Sequence, residues 1–266
     1  SASNLVDKFT FTSNVTASDH GDLSASIYAK AGHSSSDSGF TSGGADNSDV
    51  ASSIVDKYSF SSNTTASSHG DLSVARTYAA GISSVDSGFT ASGFTTSNTT
   101  TIDYFTFASN TTATDHGDSS VSKRGVAGCS STDYGFSSAG NSASSSADDT
   151  IDKFAFASNT TATDHGNLYS GRSEIAAGCS SSTQGFTCGG YNAGHHNTIQ
   201  KFDFSSNTTA SDHGDLTTAK SEMAGSSSTT SGFTMGANGN SNMIEQFSFS
   251  SNTSFNLSSF VGILHH

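Results

Sequence analysis

An Asp-His-Gly-Asp motif recurs along the chain and carries the side chains best suited to chemistry. It occupies residues 19–22, 115–118 and 212–215, with the variants Ser-His-Gly-Asp at 68–71 and Asp-His-Gly-Asn at 164–167. A ring of imidazoles with nearby carboxylates would suit a metal ion or sugar hydroxyls. Because recurrence in every repeat is typical of a scaffold, we favour histidines that pack between repeats and an Asp-Gly turn. The histidines are His20, His69, His116, His165 and His213.

Basic residues recur at a second repeat position, where the first repeat has Ile27. One interpretation is a cationic collar that binds an acidic glycan. The alternative, which we favour, is pairing with the abundant aspartates of neighbouring repeats, since the surroundings are acidic. The four residues are Arg76, Lys123, Arg172 and Lys220.

No arrangement typical of an enzyme is present. Serines are so frequent that a Ser-His-Asp triad could be drawn many times, which removes its value as a signal. The sequence has no Gly-x-Ser-x-Gly, no His-Glu-x-x-His and no phosphate-binding glycine loop before a helix. We therefore predict a non-enzymatic protein with no cofactor and no metal site.

Three cysteines give little further information. Cys129 and Cys179 share one repeat position, where the other repeats have His33, Ile82 and Ser226. A position that accepts those types is not a metal ligand. Cys179 and Cys188 flank a predicted hairpin and would be able to pair, but we favour small buried thiols.

An Asn-x-Ser/Thr sequon recurs at one predicted hairpin of every repeat. In a secreted eukaryotic protein these asparagines would be glycosylation sites. Equally, Ser-Asn-Thr-Thr is good turn chemistry that is copied with the repeat, and both interpretations stay open. The asparagines are Asn14, Asn63, Asn110, Asn159, Asn207 and Asn252, with Asn98 and Asn256 outside the shared position.

These motifs belong to a repeat that covers the chain. The signature apolar-x-x-aromatic-x-Phe begins at residues 6, 55, 102, 151, 199 and 244, at spacings of 49, 47, 49, 48 and 45. A period of this length indicates a propeller blade or a solenoid turn. We predict a single repeat domain over 1–266, with repeats 6–54, 55–101, 102–150, 151–198, 199–243 and a partial repeat 244–266.

Each repeat predicts four short strands and no helix, so the expected fold is all-β. The strands are the signature itself, the Asp-His-Gly strand, a strand of small residues, and a Gly-Phe strand containing Phe40, Phe89, Phe136, Phe186 or Phe233. Small residues suit a crowded position near a propeller axis. Five inner pairs predict a five-bladed β-propeller of four antiparallel strands per blade, with one blade closed by both chain termini. A six-bladed propeller and a β-solenoid are the alternatives.

The strand count also predicts self-association. The signature strand occurs six times and the inner pair five times, so one signature strand is left over. If residues 6–12 fill the last blade, the apolar C-terminal segment is free to add to a neighbouring molecule. If residues 244–251 fill it, the N-terminal strand is the donor. Either contact would build a head-to-tail oligomer or fibre through terminal strands.

Two resemblances follow from these residues. Arg172, the small-residue strand, Gly189-Gly190, Phe202, Leu216 and Lys220 follow the order of landmarks in the kelch-type propeller repeat. The kelch Trp is missing, and the full double glycine is kept only here and at Gly43-Gly44. The segments IDYFTFASNTTATDHGD and LSVARTYAAG resemble degenerate Ser/Thr/Gly-rich repeats in structural proteins of marine bacteriophages. That resemblance implies a virion-associated or surface role, such as a tail fibre or decoration protein.

The amino-acid composition limits the classes of partner that we expect. The formal net charge is −13, with 10 Lys and Arg against 23 Asp and Glu, so we expect no nucleic-acid binding. No apolar run is long enough for membrane insertion. Polar linkers such as residues 43–53 and 140–150 vary between repeats, as binding loops do.

We therefore predict a structural or adhesive propeller of a virion or extracellular assembly, which contacts glycans, other virion proteins or neighbouring subunits through these loops. The alternatives are a glycosylated extracellular fibre protein of a eukaryote, and a secreted glycan-active hydrolase or lyase on a propeller fold.

Overall fold

The computed structural model describes residues 2–12, 16–143, 147–174, 176–238 and 241–259. Within these ranges the protein contains 23 β-strands and no helix. Five sheets form the blades of a ring, each with four antiparallel strands, and a two-stranded hairpin accompanies them. One sheet carries a short fifth strand at its edge. The predicted five-bladed β-propeller is confirmed.

The strands follow one another in the order that the repeat predicts. The N-terminal hairpin consists of β1 (Ser3–Lys8) and β2 (Ser18–Ile27). Blade 1 contains β3 (Ala31–Ser34), β4 (Ser38–Ser42), β5 (Ile54–Ser59) and β6 (Ser67–Asp71). Blade 2 contains β7 (Ala80–Ser83), β8 (Ser87–Ala91), β9 (Thr99–Thr106) and β10 (Thr114–Arg124).

The remaining blades repeat this plan. Blade 3 contains β11 (Ala127–Ser130), β12 (Tyr134–Ser138), β14 (Asp148–Ala155) and β15 (Thr163–Arg172); the short β13 (Asn141–Ser142) pairs with β10 of blade 2. Blade 4 contains β16 (Ala177–Ser180), β17 (Gln184–Cys188), β18 (Thr198–Asp203) and β19 (Ser211–Asp215). Blade 5 contains β20 (Ala224–Ser227), β21 (Ser231–Met235), β22 (Met243–Ser248) and β23 (Ser254–Ser259).

The small-residue strands lie innermost, around the axis, as predicted. A Cβ atom on Gly81 would stand 2.1 Å from the carbonyl oxygen of Gly32 in the preceding blade. Gly128, Gly178 and Gly225 meet the glycine carbonyl of the blade before them in the same way. Side chains larger than hydrogen would hold adjacent inner strands apart, so this glycine explains the close spacing of the inner strands.

Phenylalanines form the core between blades. The side chains of Phe40, Phe136 and Phe186 are completely buried. Each stacks on the second aromatic residue of the next blade's signature, as Phe136 does on Phe204 with 4.6 Å between ring centroids. Aromatic burial is the main apolar contribution available in so polar a chain.

Each blade joins the last two strands of one sequence repeat to the first two of the next. All five blades are therefore built from contiguous segments. We expected one blade to be closed by both chain termini, and no such blade is found among the described residues. Blade 5 instead takes its third and fourth strands, β22 and β23, from the residues that directly follow β21. The surplus signature strand is β1, which pairs with β2.

The hairpin β1–β2 packs between blade 5 and blade 1 of the same molecule. Phe9 and Phe11 lie against Phe233 of blade 5, with centroid distances of 5.6 and 4.7 Å. On the other side, Nε2 of His20 donates to the carbonyl oxygen of Ser59 in blade 1 at 2.8 Å. These are the contacts that a third and fourth blade strand make elsewhere, so we call β1–β2 the half blade.

Candidate functional site

The recurrent histidines lie between blades, in fourth-strand positions. Each donates a hydrogen bond through Nε2 to a backbone carbonyl of the following blade, as His116 does to Ala155 at 2.9 Å. The rings of His69, His116, His165 and His213 also pack on the core phenylalanine of their own blade, with 5.0 Å between the centroids of His69 and Phe40. Burial lowers the pKa of His165. The five side chains are buried: His20, His69, His116, His165 and His213.

The residues around each histidine form a turn that touches the next blade. The Asp115 carboxylate accepts from the backbone N–H of Gly117 at 2.9 Å, and Gly117 has a φ of 108°. A Cβ on Gly117 would lie 2.5 Å from the carbonyl oxygen of Thr160 in the next hairpin. This glycine is needed both for its φ and for that close approach.

The sequon asparagines contact the same turn from the other side. Nδ2 of Asn159 donates to the carbonyl oxygen of Asp115 at 2.9 Å, and Asn207 donates to Asp164 at 3.0 Å. Asn110 makes the equivalent bond to Ser68 at 3.0 Å. The asparagines at 63, 110, 159, 207 and 252 are all exposed, whereas Asn14 lies outside the described residues.

Three of the four recurrent cations form buried ion pairs with the next blade. Arg76 is 2.8 Å from Asp103, Lys123 is 3.3 Å from Asp152, and Lys220 pairs with Glu245. A buried ion pair needs close geometry because both groups lose their hydration.

The other two junctions depart from this pattern. Arg172 faces the blade that has Gln200 at the acid position, and it donates to the Ser170 hydroxyl at 2.6 Å and to the Gly171 carbonyl at 2.9 Å. Burial lowers the pKa of Arg172. The first repeat has Ile27 at the cation position. Lys30 lies three residues further on, and its ammonium donates to the carbonyl oxygens of Ser3 and Ile27. Burial lowers the pKa of Lys30 to about 8.

The cysteines are free and buried. Cys129 lies between blades, with its Sγ donating to the carbonyl oxygen of Cys179 at 3.3 Å. Burial raises the pKa of Cys129 to about 12 and that of Cys188 well above its ordinary value. Thiols in this state are poor nucleophiles, and Cys179 and Cys188 are not joined.

A cavity of about 650 Å³ opens where the variable linkers meet the turns that enter each inner strand. We call it the linker-face pocket. Its wall combines aromatic, acidic and amide side chains from every part of the ring. The principal lining residues are Tyr28, Asp49, Tyr78, Phe94, Arg124, Asn141, Glu174, Tyr191, Asn192 and Glu222.

Backbone geometry places several of these side chains at the pocket. Two or three residues before each inner strand, one shared position has a positive φ. It is occupied by Ala29, Tyr78, Gly125, Glu174 and Glu222. A positive φ is unusual for a tyrosine or a glutamate. The turns are linked through backbone bonds, such as that from the N–H of Gly125 to the carbonyl oxygen of Tyr78 at 2.8 Å. A conserved backbone thus presents a different side chain in each blade.

The polar groups of the pocket are arranged around its aromatic rings. Oη of Tyr28 donates to the Asp49 carboxylate at 2.5 Å, and this bond raises the pKa of Tyr28. The rings of Tyr28 and Tyr78 meet edge to face, with centroids 6.4 Å apart. The Arg124 guanidinium lies 4.6 Å from the Phe94 ring centroid. The lining contains three carboxylates, of Asp49, Glu174 and Glu222, and one guanidinium, of Arg124. The pocket therefore carries a net negative charge.

Sequence patterns did not identify the pocket residues. Tyr28, Tyr78 and Tyr191 are isolated in the sequence and belong to three different repeats. The one feature of the sequence that pointed toward the pocket was the variation of the linkers between repeats. These linkers contribute Asp49, Phe94, Tyr191 and Asn192 to the lining. Residues that repeat were instead brought together at the blade junctions.

A second cavity, of about 900 Å³, follows the inner strands along the axis and extends to Tyr58, Phe60 and Met235. Among the described residues, no three His, Cys, Asp or Glu side chains form a group that could hold a metal ion. In the same part of the chain, no helix is long and apolar enough to cross a membrane. No protein-family model matches the chain, and no curated protein matches its sequence.

Proposed function

We propose that this protein is a non-enzymatic β-propeller that binds a neutral glycan in the linker-face pocket. One observation carries the proposal: residues that differ between repeats converge in a cavity of about 650 Å³ that contains three tyrosines and a phenylalanine. A propeller fold is consistent with a binding or structural role. Ligand sites in proteins are concave and combine aromatic walls with a few polar groups.

The lining chemistry favours a polyhydroxylated ligand. Tyr78, Phe94 and Tyr191 line the pocket, and aromatic side chains of this kind supply apolar surface that suits the C–H groups of a sugar ring. Carboxylates of Glu174 and Glu222 accept hydrogen bonds from hydroxyl groups. Because the lining and the whole chain are acidic, an anionic glycan would be repelled. The recurrent cations are buried at the blade junctions, away from the solvent.

The setting in which we place this activity is a virion or another extracellular assembly, as a tail-fibre, decoration or adhesive component. The support is the resemblance of the Ser/Thr/Gly-rich repeats to structural proteins of marine bacteriophages. Self-association through terminal strands stays a prediction. β1 and β2 pack on blades 1 and 5, so a donor role would require the half blade to leave those contacts.

Glycan binding can be tested with an array of neutral and acidic glycans and the full chain. We expect neutral oligosaccharides to be retained, and Tyr78→Ala to weaken their binding at least tenfold. Tyr169→Ala is the matched control, because Tyr169 is an exposed tyrosine outside the pocket. Equal loss in both variants, or retention of acidic glycans alone, would contradict the proposal.

The same samples separate binding from hydrolysis. A hydrolase or lyase would release new reducing ends or unsaturated sugars from a retained glycan. We expect no increase in reducing ends over a day with any glycan that binds. A steady release that Glu174→Gln or Glu222→Gln abolishes would show an enzyme instead.

A further inference from the structure

The wall of the linker-face pocket differs in chemistry from one blade to another. In blade 2, the residue before Tyr78 exchanges two backbone hydrogen bonds with Phe94, at 2.8 and 2.9 Å, which brings Phe94 to the turn that carries Tyr78. In blade 4, the residue before Glu174 exchanges the equivalent bonds with Tyr191, also at 2.8 and 2.9 Å. The same linker pairing therefore joins two aromatic residues in blade 2, and an aromatic residue and a carboxylate in blade 4.

Two carboxylates of the pocket lie on adjacent blades without a counter-charge. Glu174 and Glu222 occupy the shared turn position of blades 4 and 5, and the N–H of Glu222 donates to the carbonyl oxygen of Glu174 at 3.3 Å. Within the part of the chain that the structure describes, no cation forms an ion pair with either carboxylate. The guanidinium of Arg124 lies over the Phe94 ring instead. Both negative charges are therefore available to a ligand.

The third carboxylate of the pocket is engaged within the protein. Asp49 accepts the hydrogen bond from Oη of Tyr28, whose ring meets that of Tyr78. Aromatic rings and free carboxylates thus line one cavity. Both attract a cation, the rings through their quadrupole and the carboxylates through their charge. A ligand without a positive charge leaves both of these attractions unused.

We propose that the linker-face pocket prefers glycans that carry free amino groups, and that Glu174 and Glu222 bind the ammonium group of such a sugar. This preference rests on the glycan binding proposed above and narrows the class of sugar. An ammonium group has three N–H donors, which suit two carboxylates and a neighbouring acceptor. Neutral sugars still fit the aromatic part of the wall, so amino groups raise the affinity rather than permit binding.

The exposure of the two glutamates sets the size of the effect. Both side chains are exposed, so each ion pair with a bound ammonium contributes modestly. Two such pairs on one cation together account for about a tenfold gain in affinity, which corresponds to about 1.4 kcal/mol. A lysine side chain of a protein offers the same charge without the sugar, and the test below separates these two ligands.

The test compares oligomers of glucosamine, N-acetylglucosamine and glucose of the same length and linkage, titrated into the full chain by calorimetry at neutral pH. We expect the glucosamine oligomer to bind about tenfold more tightly than the other two. Glucose and glucosamine differ by a hydroxyl group against an ammonium group, so that comparison isolates the charge. Raising the salt from about 0.1 M to about 1 M shortens the Debye length from about 10 Å to about 3 Å, and should reduce the preference.

Variants assign the preference to the two glutamates. In the double variant Glu174→Gln/Glu222→Gln, the ratio of glucosamine to glucose affinity should fall to about one; the ratio removes any loss that both ligands share. Asp133→Asn is the matched control, because it removes an exposed carboxylate outside the pocket and should leave the ratio unchanged. Raising the pH until the amino groups lose their protons should also remove the preference, since the carboxylates stay charged while the ligand becomes neutral.

The outcomes separate this preference from glycan binding itself. Glucose or N-acetylglucosamine oligomers that bind as tightly as the glucosamine oligomer would overturn the preference and leave glycan binding intact. A preference that persists in the double variant would overturn the assignment to Glu174 and Glu222. Absence of binding by all three at about 1 mM would overturn the preference, and an array that retains no glycan would overturn glycan binding as well. A lysine-rich peptide that binds more tightly than every glycan would replace both proposals with recognition of a basic protein.

Discussion

The blade junctions and the linker-face pocket use the repeat in opposite ways. At the junctions the same groups recur: a histidine donates to a carbonyl, and a phenylalanine stacks on the next blade's signature. In the pocket the shared turn position carries Ala29, Tyr78, Gly125, Glu174 or Glu222. In this protein, residues that are the same in every repeat build the scaffold. Residues that differ between repeats form the surface available for recognition.

Removing a junction phenylalanine should have the largest effect. Phe136→Ala deletes a fully buried ring that packs on Phe204 and His165, so we expect a loss of about 4 kcal/mol in the free energy of unfolding. Chemical denaturation measures it. Tyr134→Ala, at an exposed aromatic residue of the same strand, should cost far less. Equal effects would show that the blades do not stack through these rings.

Breaking a junction ion pair should rank next. Asp103→Ala leaves the Arg76 guanidinium buried without its carboxylate, and we expect a loss of about 3–4 kcal/mol. The comparison variant is Gln200→Ala, since Arg172 already lacks a carboxylate there and depends on Ser170 and Gly171. The Gln200 variant should cost about 1 kcal/mol. A larger loss for the Gln200 variant would contradict the importance that we assign to the buried ion pair.

Acid should destabilise the scaffold through His33, which occupies the position of Ile82 in the next blade. Burial lowers the pKa of His33 from 6.5 to about 4. Between these values the unfolded state binds a proton that the folded state excludes, so stability falls as the pH drops. The loss approaches about 3 kcal/mol near pH 4. His33→Ile should flatten that part of the stability–pH curve; parallel curves for the two proteins would contradict this assignment.

The pocket should give the smallest effect on stability. Glu174 and Glu222 are exposed, so Glu174→Gln and Glu222→Gln should change the free energy of unfolding by less than about 0.5 kcal/mol. Glycan binding should weaken about tenfold, because a carboxylate acceptor is replaced by a neutral amide. Denaturation and glycan titration on the same samples measure both quantities. A large stability loss without a binding change would place these residues with the scaffold.

Periodicity was sufficient to predict the strands and the number of complete blades. Regular recurrence of Phe136 and its counterparts could be counted, and small residues such as Gly128 indicated the crowded axis. Blade closure was predicted wrongly because a count of strands does not specify which strands share a sheet. Residues 244–251 fit equally well as a spare strand or as the third strand of blade 5, and only the pairing of β21 with β22 distinguishes these.

Local sequence patterns did not predict the linker-face pocket, for a different reason. Tyr28 and Tyr78 meet because two blades place the same turn beside the axis, which is a property of the assembled ring. Tyr78 also has a φ of 57°, a conformation that no neighbouring residue type signals. Convergence of single residues from distant repeats depends on ring geometry, so the sequence could indicate the variable loops but not what they enclose.

The series of inner strands bears on how the ring unfolds. β3, β7, β11, β16 and β20 pack in succession, and a Cβ on Gly32 of β3 would have no atom within 4 Å, so the described series has two ends. In a linear array each unit is stabilised by its nearest neighbours, so an end unit has one inner interface and a central unit has two. Blades 1 and 5 should open more often than blade 3. Amide hydrogen exchange would then be slowest in β11 and β12, and fastest in the inner strands β3 and β20.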